Sequence, residues 1–99
     1  MPDPRIWPVP NSRIDSQAVD NVTTVVLAAD PNRVDCDLTN VGTEMAYLAR
    51  GEAAVMLSGI PLTPNGSYHI GTGNLWLGTV EAICDTGAAI IAISEGFKS

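Results

Sequence analysis

A proline, an asparagine and a glycine in succession, set between two short apolar runs, constrain this chain most. In Gly59-Ile60-Pro61-Leu62-Thr63-Pro64-Asn65-Gly66-Ser67-Tyr68-His69-Ile70, Pro64 presets φ for a tight turn. Asn65 tolerates positive φ, and Gly66 adopts it at no steric cost. A strand is expected from Ser67, with Tyr68 and Ile70 on one face and Ser67, His69 and Gly71 on the other. The segment folds the chain back onto a sheet and binds no cofactor by itself.

The same texture recurs along the chain. Asn21 to Ala29 is rich in β-branched residues, which favour strand. Asp30-Pro31-Asn32-Arg33 carries a type I turn signature. Val34 to Val41 then alternates, with Val34, Cys36 and Leu38 inward and Asp35, Asp37 and Thr39 towards solvent. Two strands joined by so short a turn are expected to form a hairpin. Glu44 to Leu57 has the highest helix propensity in the chain. It lacks an apolar stripe at helical spacing and is broken by Gly51. Met45–Ala49 is therefore read as a strand with Met45, Tyr47 and Ala49 on one face, and residues 52–57 as a loop with room for one helical turn. Gly71 to Asn74 is a flexible link, Leu75-Trp76-Leu77 a short apolar run, and residues 78–85 a strand that turns at Asp85-Thr86-Gly87. Residues 88–95 form a closing strand, apolar on both faces, as in a sandwich interior or a subunit contact. Short strands with turns at about ten-residue spacing predict an all-β fold, a small antiparallel β-sandwich or jelly-roll-like barrel.

Four prolines fall among the first ten residues (Pro2, Pro4, Pro8, Pro10), each removing a backbone donor and disfavouring helix before it. The expected division is an extended N-terminal arm at 1–20 and a sandwich domain at 21–99. The arm is either a disordered tail or a strap that lays Ile6, Trp7 and Val9 on a neighbouring subunit, since Trp is a favoured interface anchor. A second candidate interface is Leu75, Trp76 and Leu77.

Ninety-nine residues make one domain with a modest core. The net charge of −6 comes with only five basic residues (Arg5, Arg13, Arg33, Arg50, Lys98), scattered along the chain. Phosphate backbones need clustered cations, so no nucleic-acid partner is expected. No apolar run approaches the roughly 20 residues of a membrane helix, so no membrane partner is expected. Met1-Pro2-Asp3-Pro4-Arg5 has no secretory pattern, which suggests assembly in a cytoplasm. Charged residues are 16% of the chain, below the roughly 25% of typical domains, as if other chains cover part of the surface.

Catalytic chemistry is thin. Cys36 and Cys84 sit at inward positions and read as small buried hydrophobes; pairing would need a geometry that spacing does not supply. With no Cys-x-x-Cys and a single histidine, no metal site is expected. His69 has no evident nucleophile or orienting carboxylate. Asp30, Asp35, Asp37, Glu81, Asp85 and Glu95 lack a calcium-loop spacing; Asp35 and Asp37, two apart on one strand face, read as a wet face that guards an exposed strand. Gly71-Thr72-Gly73 completes no phosphate-binding pattern. No enzyme and no cofactor is expected.

Three groups of motifs carry a resemblance. They are Leu27 to Arg33 followed by Leu38-Thr39-Asn40-Val41-Gly42; the Gly59 to Tyr68 loop; and Val80-Glu81-Ala82-Ile83 with the Thr86-Gly87 turn. Together they resemble a pattern in small tailed-bacteriophage virion proteins, over roughly residues 20 to 95. The pattern includes a closing hairpin. The group contains capsid decoration (cement) proteins and small neck, tail or fibre modules. The resemblance implies a β-sandwich on the outer head surface, a homo-trimer at threefold positions with the major capsid protein as partner, and no enzyme activity. A neck or tail adaptor, and a receptor or carbohydrate module using Trp76, Tyr68 and Asn74, are the competing expectations.

Overall fold

The computed structural model describes residues 11–98. Eight strands run β1 Asn11–Val19, β2 Thr24–Leu27, β3 Arg33–Asn40, β4 Ala46–Arg50, β5 Ile60–Leu62, β6 Ser67–Ile70, β7 Val80–Cys84 and β8 Ala89–Phe97. They form two four-stranded sheets, ordered β1-β8-β3-β6 and β2-β7-β4-β5. Every pairing is antiparallel. The chain changes sheet at each connection except β4–β5. That order is the eight-stranded jelly roll, two interleaved Greek keys closed face to face. The all-β sandwich expectation holds.

The alternation places the core. Cys36, Leu38, Ile70, Ala89, Ile91 and Ile93 point inward from the first sheet, against Leu27, Ala46, Leu48, Leu62, Val80, Ala82 and Cys84 from the second. On β6, Ile70 is buried, Tyr68 half-buried, and Ser67 and His69 exposed, as expected.

Several local expectations change. Strands β2 and β3 do not form a hairpin, nor do β7 and β8; each turn carries the chain across the sandwich to the other sheet. A tight turn reverses direction, but the register of distant partners decides which sheet receives the strand. In the turn at Thr63 to Gly66, the Gly66 amide donates to the Thr63 carbonyl at 2.7 Å. Asn65 at the third position carries the positive φ, 67°, so Gly66 does not need it; with Pro64 second, this is a type II turn. The expected strand at 45–49 is β4, Ala46–Arg50, and Tyr47 and Ala49 share a face as expected; the buried face is the other one, Ala46 and Leu48. Residues 52–57 hold no helix. Strand β8 is buried on one face only, with Ile90 40% exposed on the other.

Part of the segment expected as an arm is a strand. Residues 11–19 are strand β1, paired along its whole length with β8. Ile6, Trp7 and Val9 lie outside the described residues. Only Val19 of β1 is buried, so backbone hydrogen bonds, not core packing, hold the strand.

A β-bulge opens β3. Arg33 pairs with Phe97 and Asp35 with Gly96, leaving Val34 as the extra residue. The bulge re-aims the strand: Val34, expected inward, is half-buried, and Arg33 turns into the interior at 1% exposure. Its guanidinium donates from Nε to Glu95 Oε2 at 2.9 Å, and from Nη1 to the Trp76 carbonyl at 2.8 Å and the Gly78 carbonyl at 3.1 Å. Nη2 donates to the Ala28 carbonyl. Glu95 is buried, and its other oxygen accepts Nε and Nη2 of the half-exposed Arg13 at 2.8 and 2.6 Å.

At the far end of β3, buried Asn40 plays the matching part. Its amide donates to the carbonyls of Glu44 at 2.6 Å and Leu62 at 2.9 Å, and its side-chain oxygen accepts the Gly42 amide. Gly42 is required there: a Cβ would fall 2.2 Å from the Ala88 carbonyl oxygen. Among the described residues no buried side-chain nitrogen or oxygen lacks a partner.

Removing the charge of Glu95 strands a buried guanidinium, which costs about 3–5 kcal/mol in comparable pairs. Glu95→Gln is expected to lose about 3 kcal/mol in urea unfolding. Arg13→Gln, at the solvated side of the same carboxylate, is expected to lose under about 1 kcal/mol.

Candidate functional site

The two ends of the sandwich are chemically different. The end that holds the β2–β3, β4–β5 and β6–β7 loops also holds Asn11, opposite Phe97, where the proline-rich leader joins. The loops are tied by backbone bonds: Asp30 N–H to the Leu77 carbonyl at 2.8 Å and Gly51 N–H to the Thr79 carbonyl at 2.9 Å. Arg33 fixes the β2–β3 and β6–β7 loops from beneath.

On this scaffold Leu75 is 46% and Leu77 39% exposed, while Trp76 between them turns back against the core. The indole Nε1 donates to the Thr79 carbonyl at 2.8 Å. The Arg50 guanidinium lies 5.8 Å from the ring centroid, in cation–π range. Gly78 lets the ring sit close, since a Cβ there would come within 2.8 Å of it. Of the three candidates in this run, the leucines are presented and the tryptophan is committed to holding the loop.

The β4–β5 loop adds Val55 and Leu57, 59% and 81% exposed. Leu57 has φ of 65°, the left-handed region that costs a branched L-residue about 1–2 kcal/mol. A strained backbone presenting a bare leucine is the kind of outlier that accumulates at binding loops. Neither Val55 nor Leu57 was singled out in the sequence; helix propensity across residues 44–57 hides a loop whose tip is set by φ. Gly59, with φ of 85°, closes it where a Cβ would strike the Leu48 carbonyl. A crevice of about 280 Å³ lies inside the loop, between Leu48, Arg50, Glu52, Val55 and Ile60.

The catalytic candidates do not assemble. His69 does have a carboxylate partner, contrary to expectation: Nδ1 is 2.7 Å from Asp37 Oδ1, its cross-strand neighbour. Both are exposed, and among the described residues no hydroxyl or thiol bonds the other ring nitrogen. Asp35 and Asp37 form no metal cluster, and among the described residues no group of three or more potential ligands occurs. Cys36 and Cys84 are buried, unpaired thiols in opposite sheets. The sugar-platform residues are engaged elsewhere: Tyr68 packs on the core, and Asn74 bonds the Gly71 amide and the His69 carbonyl.

No family model, curated protein or solved structure matches this chain.

Burial, reinforced by the adjacent Glu95 charge, pushes the Cys36 thiol from the ordinary 9.0 up to about 12. A raised folded-state pKa means the native thiol holds its proton more tightly than the unfolded chain does. Its contribution to stability is complete below about pH 9 and is lost as pH climbs towards about 12. Stability should fall over that range by up to about 1.4 kcal/mol per pH unit from this group. Cys36→Ala should flatten that part of the slope in alkaline unfolding.

Proposed function

We propose that this protein is a non-catalytic virion module, a decoration protein that binds the outer surface of a tailed-phage head and bridges major capsid protein subunits. The observation that carries it is the presentation of Val55, Leu57, Leu75 and Leu77 on braced loops at the end of the sandwich where the leader emerges. Apolar side chains held out on a rigid scaffold suit docking better than turnover. The motif resemblance, the acidic and charge-poor composition, and the lack of a triad or ligand cluster among the described residues agree with this.

Bridging works by adding modest contacts. Ile6, Trp7 and Val9 of the leader together with Leu75 and Leu77 would give each protomer two attachment points, and linked weak contacts gain strongly through effective concentration. Leu57 supplies a third contact whose backbone strain is maintained for the sake of the surface it offers.

Two variants test the proposal in co-sedimentation with emptied tailed-phage heads. Leu75→Asp/Leu77→Asp should leave the thermal midpoint within about 2 °C, because both side chains are solvent-facing, and reduce head binding at least about tenfold, a loss of some 1.4 kcal/mol. Leu57→Gly relieves the positive φ. It should hold or raise stability, by up to about 1 kcal/mol, while weakening binding. Parent protein that stays in the supernatant, or variants that bind like the parent, would overturn the assignment.

A further inference from the structure

Strand β1 is an edge: β8 lies on one side of it, and no described residue pairs with the other. It is nine residues long, contains no proline and buries almost nothing. A free edge of that length is a template for another strand. Its sequence, Asn11-Ser12-Arg13-Ile14-Asp15-Ser16-Gln17, reads as complementary to its own reverse. Amide mirrors amide, hydroxyl mirrors hydroxyl, cation mirrors anion, and Ile14 stands at the centre. Ile14 is 83% exposed, the highest value among the exposed large hydrophobics. We propose that β1 is a self-recognition edge, pairing antiparallel with β1 of a second copy about a twofold axis through Ile14.

Charge selects the register. With Ile14 opposite the partner's Ile14, Arg13 stands opposite the partner's Asp15 and Asp15 opposite the partner's Arg13. Ser12 then meets the partner's Ser16, and Asn11 the partner's Gln17. Shifting by one residue on each strand in either direction, the smallest step that keeps side chains on their own face, sets Asp15 against Asp15 or Arg13 against Arg13. Like charges directly opposite are destabilising. Both charged groups are available, with Arg13 and Asp15 side chains 40% and 58% exposed. Arg13 already bonds Asp15 at 2.8 Å and Glu95 on β8, so pairing would add the partner's Asp15 to an existing charge cluster.

On β1 and β8 the outer face carries no charge, and the nearest carboxylates on it, Asp35 and Asp37, stand one strand further in on β3. Ser12, Ile14, Ser16 and Ala18 continue across β8 as Ile90, Ala92 and Ser94. The paired copies would form one continuous eight-stranded sheet with the two exposed isoleucines in contact. This is a twofold contact, whereas the motif resemblance implies a threefold one. It also stands apart from head decoration, since it needs no capsid.

Cysteine cross-linking tests both contact and register, because Cys36 and Cys84 are buried and leave the background silent. Under mild oxidation Ile14→Cys should give a disulfide dimer by itself. Ser12→Cys alone should not, but should cross-link when mixed with Ser16→Cys. Sedimentation at up to about 1 mM protein, the range of weak encounters, should show a concentration-dependent dimer. Ile14→Lys, at a solvent-facing position, should weaken it at least tenfold with unchanged thermal unfolding. A monomer throughout that range, a trimer indifferent to Ile14→Lys, or Ser12→Cys cross-linking as well alone as in the mixture would overturn the proposal.

Discussion

The structure depends on one buried cation. Arg33 sits where β3 begins, almost without solvent, and spends its donors on a carboxylate and on three carbonyls from two different loops. A jelly roll has loops rather than helices at its ends, and loop carbonyls turned inward need partners that water cannot reach. One guanidinium with a fixed fork of donors answers that need at a single point. Glu95 supplies the compensating charge, and Arg13 shares it with the edge strand, so the interior network continues into β1. Asn40 does the same work at the other end without a charge.

Rigidity at the base explains what the loops can do at the surface. With Trp76 packed inward and its carbonyl held by Arg33, Leu75 and Leu77 are turned outward and kept there. Leu57 is held outward by a backbone conformation that its neighbour Gly59 helps to close. The apolar side chains on view are thus consequences of how the loops are braced, and a partner need not order them again on binding.

The sequence exposed the parts of the fold that are local. Alternation in Asp35 to Thr39 and in Ser67 to Ile70 gave the inward faces of β3 and β6, and β-branched content gave β2. What it concealed was pairing. The Asp30-Pro31 and Pro64-Asn65 turns look like hairpin turns, yet each hands the chain to the opposite sheet, a choice made by residues far away in sequence. Strand β1 was masked for the same reason: a polar stretch beside a proline-rich leader has no apolar rhythm, and its partner β8 lies at the other end of the chain. Of the candidate site, Leu75 and Leu77 were legible as an apolar run. The inward turn of Trp76, the outward Leu57 and the His69–Asp37 contact all depended on φ values or strand register. Arg33 and Glu95 were invisible as a pair, because a one-residue bulge at the start of β3 turns Arg33 inward in place of Val34.

Arg33 matters as a clamp on loop carbonyls more than as half of an ion pair. Buried ion pairs can often be exchanged for apolar residues of similar volume with no loss of stability. Urea unfolding of the double variant Arg33→Met/Glu95→Leu therefore separates the two roles. With the charges gone together, the carbonyls of Ala28, Trp76 and Gly78 remain without a donor, at about 1–3 kcal/mol for each that water cannot reach. The expected result is a loss of several kcal/mol; a double variant as stable as the parent would contradict it.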